Sequence, residues 1–120
     1  MPKPSETLVQ FALAAIEELK AEDCRVLDVR SLTDMTDFMI IASGRSTRQV
    51  CAIAEHLVER AKHAGYQPLG VEGLPMGDWV LVDLADLVVH VMEPETRAFY
   101  QLEKLWDAGE KIGGAEDTPP

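Results

Sequence analysis

Ser43-Gly44-Arg45-Ser46-Thr47-Arg48 has the composition of an anion site, because two arginines flank a small turn ahead of a helical pattern. Backbone N–H groups at a helix start point outward and attract negative charge. The segment lacks the glycine-rich run and lysine of a P-loop, and Gly44 for the turn with Ser46 as helix cap explains the same residues without a ligand. A small turn between strand and helix also holds the triphosphate in nucleotidyltransferases, whose metal chemistry requires clustered carboxylates. The nearest candidates, Asp83 and Asp86, fall on opposite sides of an expected hairpin turn, where aspartate bonds to local backbone. No catalytic residue, metal or cofactor site is assigned on this basis.

The remaining reactive side chains are scattered. His56 and His63 lie seven apart on one helical pattern, two turns distant and too far for the i, i+4 ligation of zinc, so both are expected in solvent. His90 sits in an apolar strand with no Ser or Cys placed to make it a catalytic base; it is expected in the core or an interface, bonded to backbone or a carboxylate. Cys24 and Cys51 form no CxxC or Cys/His cluster and have apolar neighbours, which predicts buried free thiols in a reducing cytoplasm. The aromatics carry more. Trp79 opens a strand after Gly77-Asp78, while Tyr100 and Trp106 lie on the last helical pattern, and such rings anchor both cores and interfaces.

Charge narrows the partners. Eleven Lys+Arg against 21 Asp+Glu give a net charge of -10, which repels phosphate backbones unless the cations are gathered on one face. They are not gathered: no Lys or Arg falls between Lys62 and Arg97, a stretch holding Glu72, Asp78, Asp83, Asp86, Glu93 and Glu95. DNA binding is not expected, and little or no RNA contact. The acidic half either suits a basic partner or simply keeps the chain soluble. The longest N-terminal apolar run, residues 11 to 16, is too short for a signal or membrane segment, so the expectation is a cytoplasmic protein without membrane contact.

These residues need elements to hold them. Leu8, Phe11, Ala12, Ala15, Ile16 and Leu19 repeat at helical spacing after a cap at Ser5, predicting a helix over residues 5 to 21. Val26, Leu27 and Val29 mark a first strand, and the wholly apolar residues 38 to 42 a second, central one. Val50, Ile53, Ala54, Leu57, Val58 and Ala61 give a second helix ending at Gly65. Residues 69 to 72 form a returning strand, making a β-α-β unit with parallel flanking strands. A Gly/Pro loop then leads to a strand at 79 to 82, a tight turn at 83 to 86, and a strand at 87 to 92. Pro94 opens a last helix whose apolar side is Phe99, Leu102, Leu105 and Trp106, ending at Gly109.

The expected fold is therefore α/β, a single domain over residues 1–108 with a mixed five-stranded sheet and three flanking helices, followed by a flexible tail at 109–120. Such a sheet is about 20 Å wide, so each face needs roughly two helices of about 10 Å. Three helices leave about one helix-width of apolar sheet uncovered, for loops, a second copy or a partner to occupy.

Four segments together are specific. Asp37-Phe38-Met39-Ile40-Ile41-Ala42-Ser43-Gly44, Glu72-Gly73 with Gly77-Asp78-Trp79-Val80-Leu81-Val82-Asp83, Asp86-Leu87-Val88-Val89-His90-Val91-Met92, and the closing run from Arg97 through Trp106 closely resemble the ribosomal silencing factor family, also called Iojap-like. The resemblance spans about residues 7 to 107. It implies a bacterial, mitochondrial or plastid factor that binds a large-subunit ribosomal protein, the fourteenth in the usual count, on the face where the small subunit docks. Subunit joining is then blocked and translation repressed when nutrients are short, with a role in large-subunit biogenesis also implied. The family fold is similar to a nucleotidyltransferase core lacking the catalytic carboxylates. Ala85 departs from the glycine that many members carry in this turn, and because a non-glycine residue at positive φ costs about 1 kcal/mol, the turn type is open.

Carried over by position, the partner-binding residues are Trp79 first, with Asp78, Val80 and Leu81 alongside, then Glu72, Asp83 and Tyr100. Strand alternation puts Trp79, Leu81 and Asp83 on one face and Val80 and Val82 on the other, so they cannot all meet one partner. The implied function is steric exclusion by a binding module rather than catalysis. The alternatives are a nucleotide-binding, nucleotidyltransferase-like enzyme and a structural homodimer of the free protein.

Overall fold

A computed structural model describes residues 4–101 and residue 104. The elements run α1 (Pro4–Glu18), β1 (Glu22–Asp28), β2 (Phe38–Ser43), α2 (Thr47–His63), β3 (Gly70–Glu72), β4 (Trp79–Asp83), β5 (Leu87–Met92) and α3 (Pro94–Tyr100). Five strands form one mixed sheet in the order β1-β2-β5-β4-β3. Only the β2–β5 pair is parallel; β1–β2, β5–β4 and β4–β3 are antiparallel. The α/β fold with five strands and three helices is the expected one.

The strand order refines the expected β-α-β unit. β2 and β3 point the same way but are not neighbours, because β5 and β4 lie between them. The reason is burial: β5, with five of its six residues buried, pairs with the fully buried β2 on one side and with β4 on the other. The polar, three-residue β3 is left at the edge, where a short strand limits unwanted pairing.

Both long helices pack on one face. Leu8, Ala12 and Ile16 of α1 and Val50, Ile53, Ala54 and Leu57 of α2 meet Ile40, Ala42, Val80, Val82, Val89 and Val91 in the main core. On the opposite face a smaller cluster gathers Leu27, Val29, Met39, Ile41 and Met92, with Leu32 and Trp79 packed against it. Among the described residues no long helix lies there; Leu32, from the segment after β1, and α3 supply the cover.

The helix ends show what local sequence can and cannot announce. In α2 the Ser46 hydroxyl accepts the Gln49 N–H at 3.1 Å, and the helix closes when Tyr66 N–H donates to Ala61 O (2.8 Å) and Gly65 N–H to Lys62 O (3.2 Å), with Gly65 at φ 92°. α1 closes by the same pattern without glycine. Ala21 N–H donates to Ile16 O and Lys20 N–H to Glu17 O, with Lys20 at φ 64°, so the helix ends before the expected residue 21. Ser5 lies inside its first turn and is buried, not capping. In α3, Phe99 is exposed rather than packed, and Gln101 takes a left-handed conformation directly after Tyr100. Leu102, Leu105, Trp106, Gly109 and the expected 109–120 tail lie outside the described residues.

The β4–β5 turn keeps the left-handed conformation although its residue is alanine. Ala85 has φ 74°, Asp86 N–H donates back to Leu84 O (3.0 Å), and Ala85 N–H donates to Asp83 Oδ1 (2.9 Å). An i to i+2 bond around a residue of that φ is a strained γ turn. Ala85→Gly should remove a steric cost of about 1–2 kcal/mol while adding part of that back as unfolded-chain entropy. A net gain of about 0.5–1 kcal/mol is expected in urea denaturation; equal or lower stability would show that Ala85 is not strained.

Candidate functional site

The register of β3, β4 and β5 decides which side chains share the open face. Glu72 stands opposite Leu81, Leu81 opposite His90, Trp79 opposite Met92 and Asp83 opposite Gly70. Residues directly opposite in a ladder project to the same side, so Trp79, Leu81, Asp83 and Glu72 form one surface on the face that the long helices leave open. Trp79, Leu81 and Asp83 are half-buried, and Glu72 and Asp78 are exposed. Val80 does not belong to it. It is fully buried, pointing toward α1 and α2 in the main core, which corrects its inclusion among the contact residues.

Trp79 is the best-held of these side chains. Its indole N–H donates to His90 Nδ1 at 2.9 Å, diagonally across the ladder and two residues along. The Tyr100 ring lies 5.0 Å from the Trp79 ring, and Phe99 meets Tyr100 edge-on at 4.9 Å. Trp79 therefore has one side on Met92 and its cluster and another under Tyr100, an arrangement that fixes its rotamer before any partner arrives. The loop before it is equally fixed. Gly73, at φ 100°, passes so close that a Cβ would lie 2.1 Å from Trp79 O, and a Cβ on Gly77 would lie 2.6 Å from Thr47 O; no larger residue fits these two approaches.

His90 is buried beneath the tryptophan, and its hydrogen-bond partner is Trp79 rather than a backbone or carboxylate group. Because the indole nitrogen can only donate, His90 Nδ1 must be unprotonated, and the neutral ring carries its proton on Nε2. Burial lowers its pKa from 6.5 to about 4, disfavouring the imidazolium that would break this bond.

The other sequence candidates resolve as structure. Arg45 Nε donates to Glu22 Oε2 at 2.8 Å and Arg45 N–H to Gln49 Oε1, so the Ser43–Arg48 turn is a capped helix start tied to β1. Gly44 is needed for the close strand–helix approach, since a Cβ there would lie 2.9 Å from Val50 Cγ2. His56 is partly exposed, and it is also paired: its Nε2 lies 2.6 Å from Glu18 Oε1, and Arg60 binds the same carboxylate. The His56 hydrogen bond and then Arg60 hold the Glu18 carboxyl below its usual range. His63 is exposed as expected. Cys24 and Cys51 are free but half-buried rather than buried, and desolvation raises both thiols. Among the described residues no group of three or more His, Cys, Asp or Glu is placed to hold a metal.

Arg97 carries a role the sequence did not signal. Only 7% exposed, it donates from Nη1 to Ser43 Oγ at 2.9 Å and so ties α3 to the end of β2. That bond holds the helix which carries Tyr100 onto Trp79. An arginine in a mostly polar helical turn gives no sequence sign of burial, because its destination is set by the packing of α3.

The surface is thus an aromatic anchor with an aliphatic neighbour and an acidic surround. A family model described as ribosomal silencing factor during starvation matches residues 2–119. The chain belongs to this ribosomal silencing factor family. A Haemophilus influenzae ribosomal silencing factor is 44% identical over 82% of this chain and 97% of its own length. A mouse protein named for mitochondrial assembly of the ribosomal large subunit is 36% identical over 82% of this chain and 44% of its own. A crystal structure from Chromobacterium violaceum superposes with a TM-score of 0.86 at 41% identity, covering 88% of each chain. The family's fold and this chain's agree, so the Trp79 face described above is built on a ribosomal silencing factor scaffold.

Proposed function

We propose that this chain binds the large ribosomal subunit through a protein on its intersubunit face, the one the resemblance names as fourteenth in the usual count, and blocks subunit joining by bulk, so repressing translation. The observation that carries the proposal is Trp79: a pre-positioned aromatic, with Leu81 beside it and Glu72, Asp78 and Asp83 around it, on the face opposite α1 and α2. Buried aromatic anchors with polar rims dominate protein interfaces, and the acidic rim suits a basic ribosomal protein. The smallest extent of the molecule is 21 Å, too thick to share a close intersubunit contact.

The name of the mouse relative favours a companion role in large-subunit assembly, performed by the same bound state. On this reading the chain acts where ribosomes are, in the cytoplasm. No helix among the described residues is long and apolar enough to cross a membrane. A homodimer of the free protein would occupy the same face and compete with the ribosome.

The test follows subunit joining by light scattering. Protein pre-incubated with large subunits should suppress joining in proportion to occupancy. Undiminished joining with saturating, demonstrably bound protein would defeat the exclusion mechanism.

A further inference from the structure

The edge strand β3 separates two surfaces, because Glu72 faces the Trp79 side and Val71 the helix side. On the helix side a groove of about 300 Å³ runs between α2 and the β3 loop, lined by Val58, Val71 and Leu74 with Glu55, Glu59 and Lys62 along its rim. Leu69 and Met76 from the same strand-and-loop segment are 69% and 75% exposed. Exposed large apolar residues are ordinary when scattered singly, whereas apolar side chains gathered on the floor of a groove with a charged rim, as Val58, Val71 and Leu74 are, mark an interaction surface.

Glu55 and Glu59 are both exposed and stand four apart on one face of α2, a like-charge pair that costs the helix a little stability. Neither forms an ion pair among the described residues, although Lys62 is on the same rim. Two carboxylates against one ammonium leave the groove negative, in a chain of net charge -10. An apolar floor with such a rim is complementary to an aliphatic side chain flanked by cations.

We infer that the α2–β3 groove is a second docking site, taking a Lys/Arg-flanked aliphatic segment of another protein: its Leu or Ile side chain on Val58, Val71 and Leu74, its cations on Glu55 and Glu59. The inference does not rest on the Trp79 reading, since the groove lies on the other side of β3.

An NMR titration of the isotope-labelled full chain tests it, with a short amphipathic Lys/Leu peptide as probe. Shifts should gather at Glu55, Val58, Glu59, Val71 and Leu74, and persist in Trp79→Phe. A Glu/Leu peptide and a Lys/Ser peptide should each bind at least about tenfold more weakly, as should the Lys/Leu peptide to Glu55→Lys/Glu59→Lys or to Leu74→Ser. These side chains are at the surface, so an unchanged spectrum elsewhere verifies folding. Shifts centred on Trp79, equal binding of the Glu/Leu peptide, no shifts at millimolar peptide, or self-association of the chain through this groove would each overturn the inference.

Discussion

Trp79→Ala is expected to weaken binding to purified large ribosomal subunits about thirtyfold, the equivalent of about 2 kcal/mol, and to restore subunit joining at concentrations where the wild type blocks it. The indole is the largest side chain among the described residues of the open face, and it is already immobilised by His90 and Tyr100, so little rotamer entropy remains to be lost on binding. Alanine also removes packing from Met92 and leaves His90 Nδ1 without its donor, which lowers fold stability. Two further variants separate the effects. Trp79→Phe keeps a ring against the cluster and should bind better than the alanine variant. Leu81→Glu leaves the anchor intact while placing a charge opposite His90, and should also weaken binding, because an unpaired carboxylate would be buried at the centre of the contact. Sedimentation with large subunits measures all three. Wild-type affinity in folded Trp79→Ala and Leu81→Glu proteins would remove this face from the function.

Acid should destabilise the fold through His90 before the carboxylates are protonated. In the native state burial holds its pKa near 4, against 6.5 for an ordinary histidine, so between these values the unfolded chain takes up a proton that the folded chain refuses. The stability is complete above pH 6.5 and falls as pH drops toward 4, by about 3 kcal/mol over the whole window. Below that, protonation in the native state would turn Nδ1 into a donor facing the indole N–H and break the Trp79 bond. His90→Gln retains an acceptor for the indole and has no titration, so its stability should change less between pH 7 and 4. Glu18 and Asp28, whose pKa values are lowered by His56 and Arg30 respectively, lose their contributions toward lower pH in both proteins. The difference between wild type and variant therefore isolates His90. Parallel stability curves from urea titrations across this range would show that the imidazole does not carry the pH dependence.

Local chemistry alone determined much of this protein. The apolar run of β2, the helical spacing and Ser46 cap of α2, its stop at Gly65, and the Asp83 turn were legible because each depends on residues within a few positions of one another. Trp79, Leu81 and Asp83 were placed on one face, opposite Val80 and Val82, by alternation alone. The early end of α1 was not legible, since Lys20 adopts a conformation that glycine usually announces.

Only the tertiary structure decided the rest. The insertion of β5 between β2 and β4 depends on burial shared by strands that the chain separates by dozens of residues, and it brings His90 beside Trp79. The same long-range packing puts both long helices on one face, sends Val80 inward, and buries Arg97 against Ser43 so that Tyr100 reaches the indole. A one-dimensional pattern fixes which residues alternate, but which face meets solvent is settled by the free energy of covering one side of the sheet, and that is a property of the whole fold.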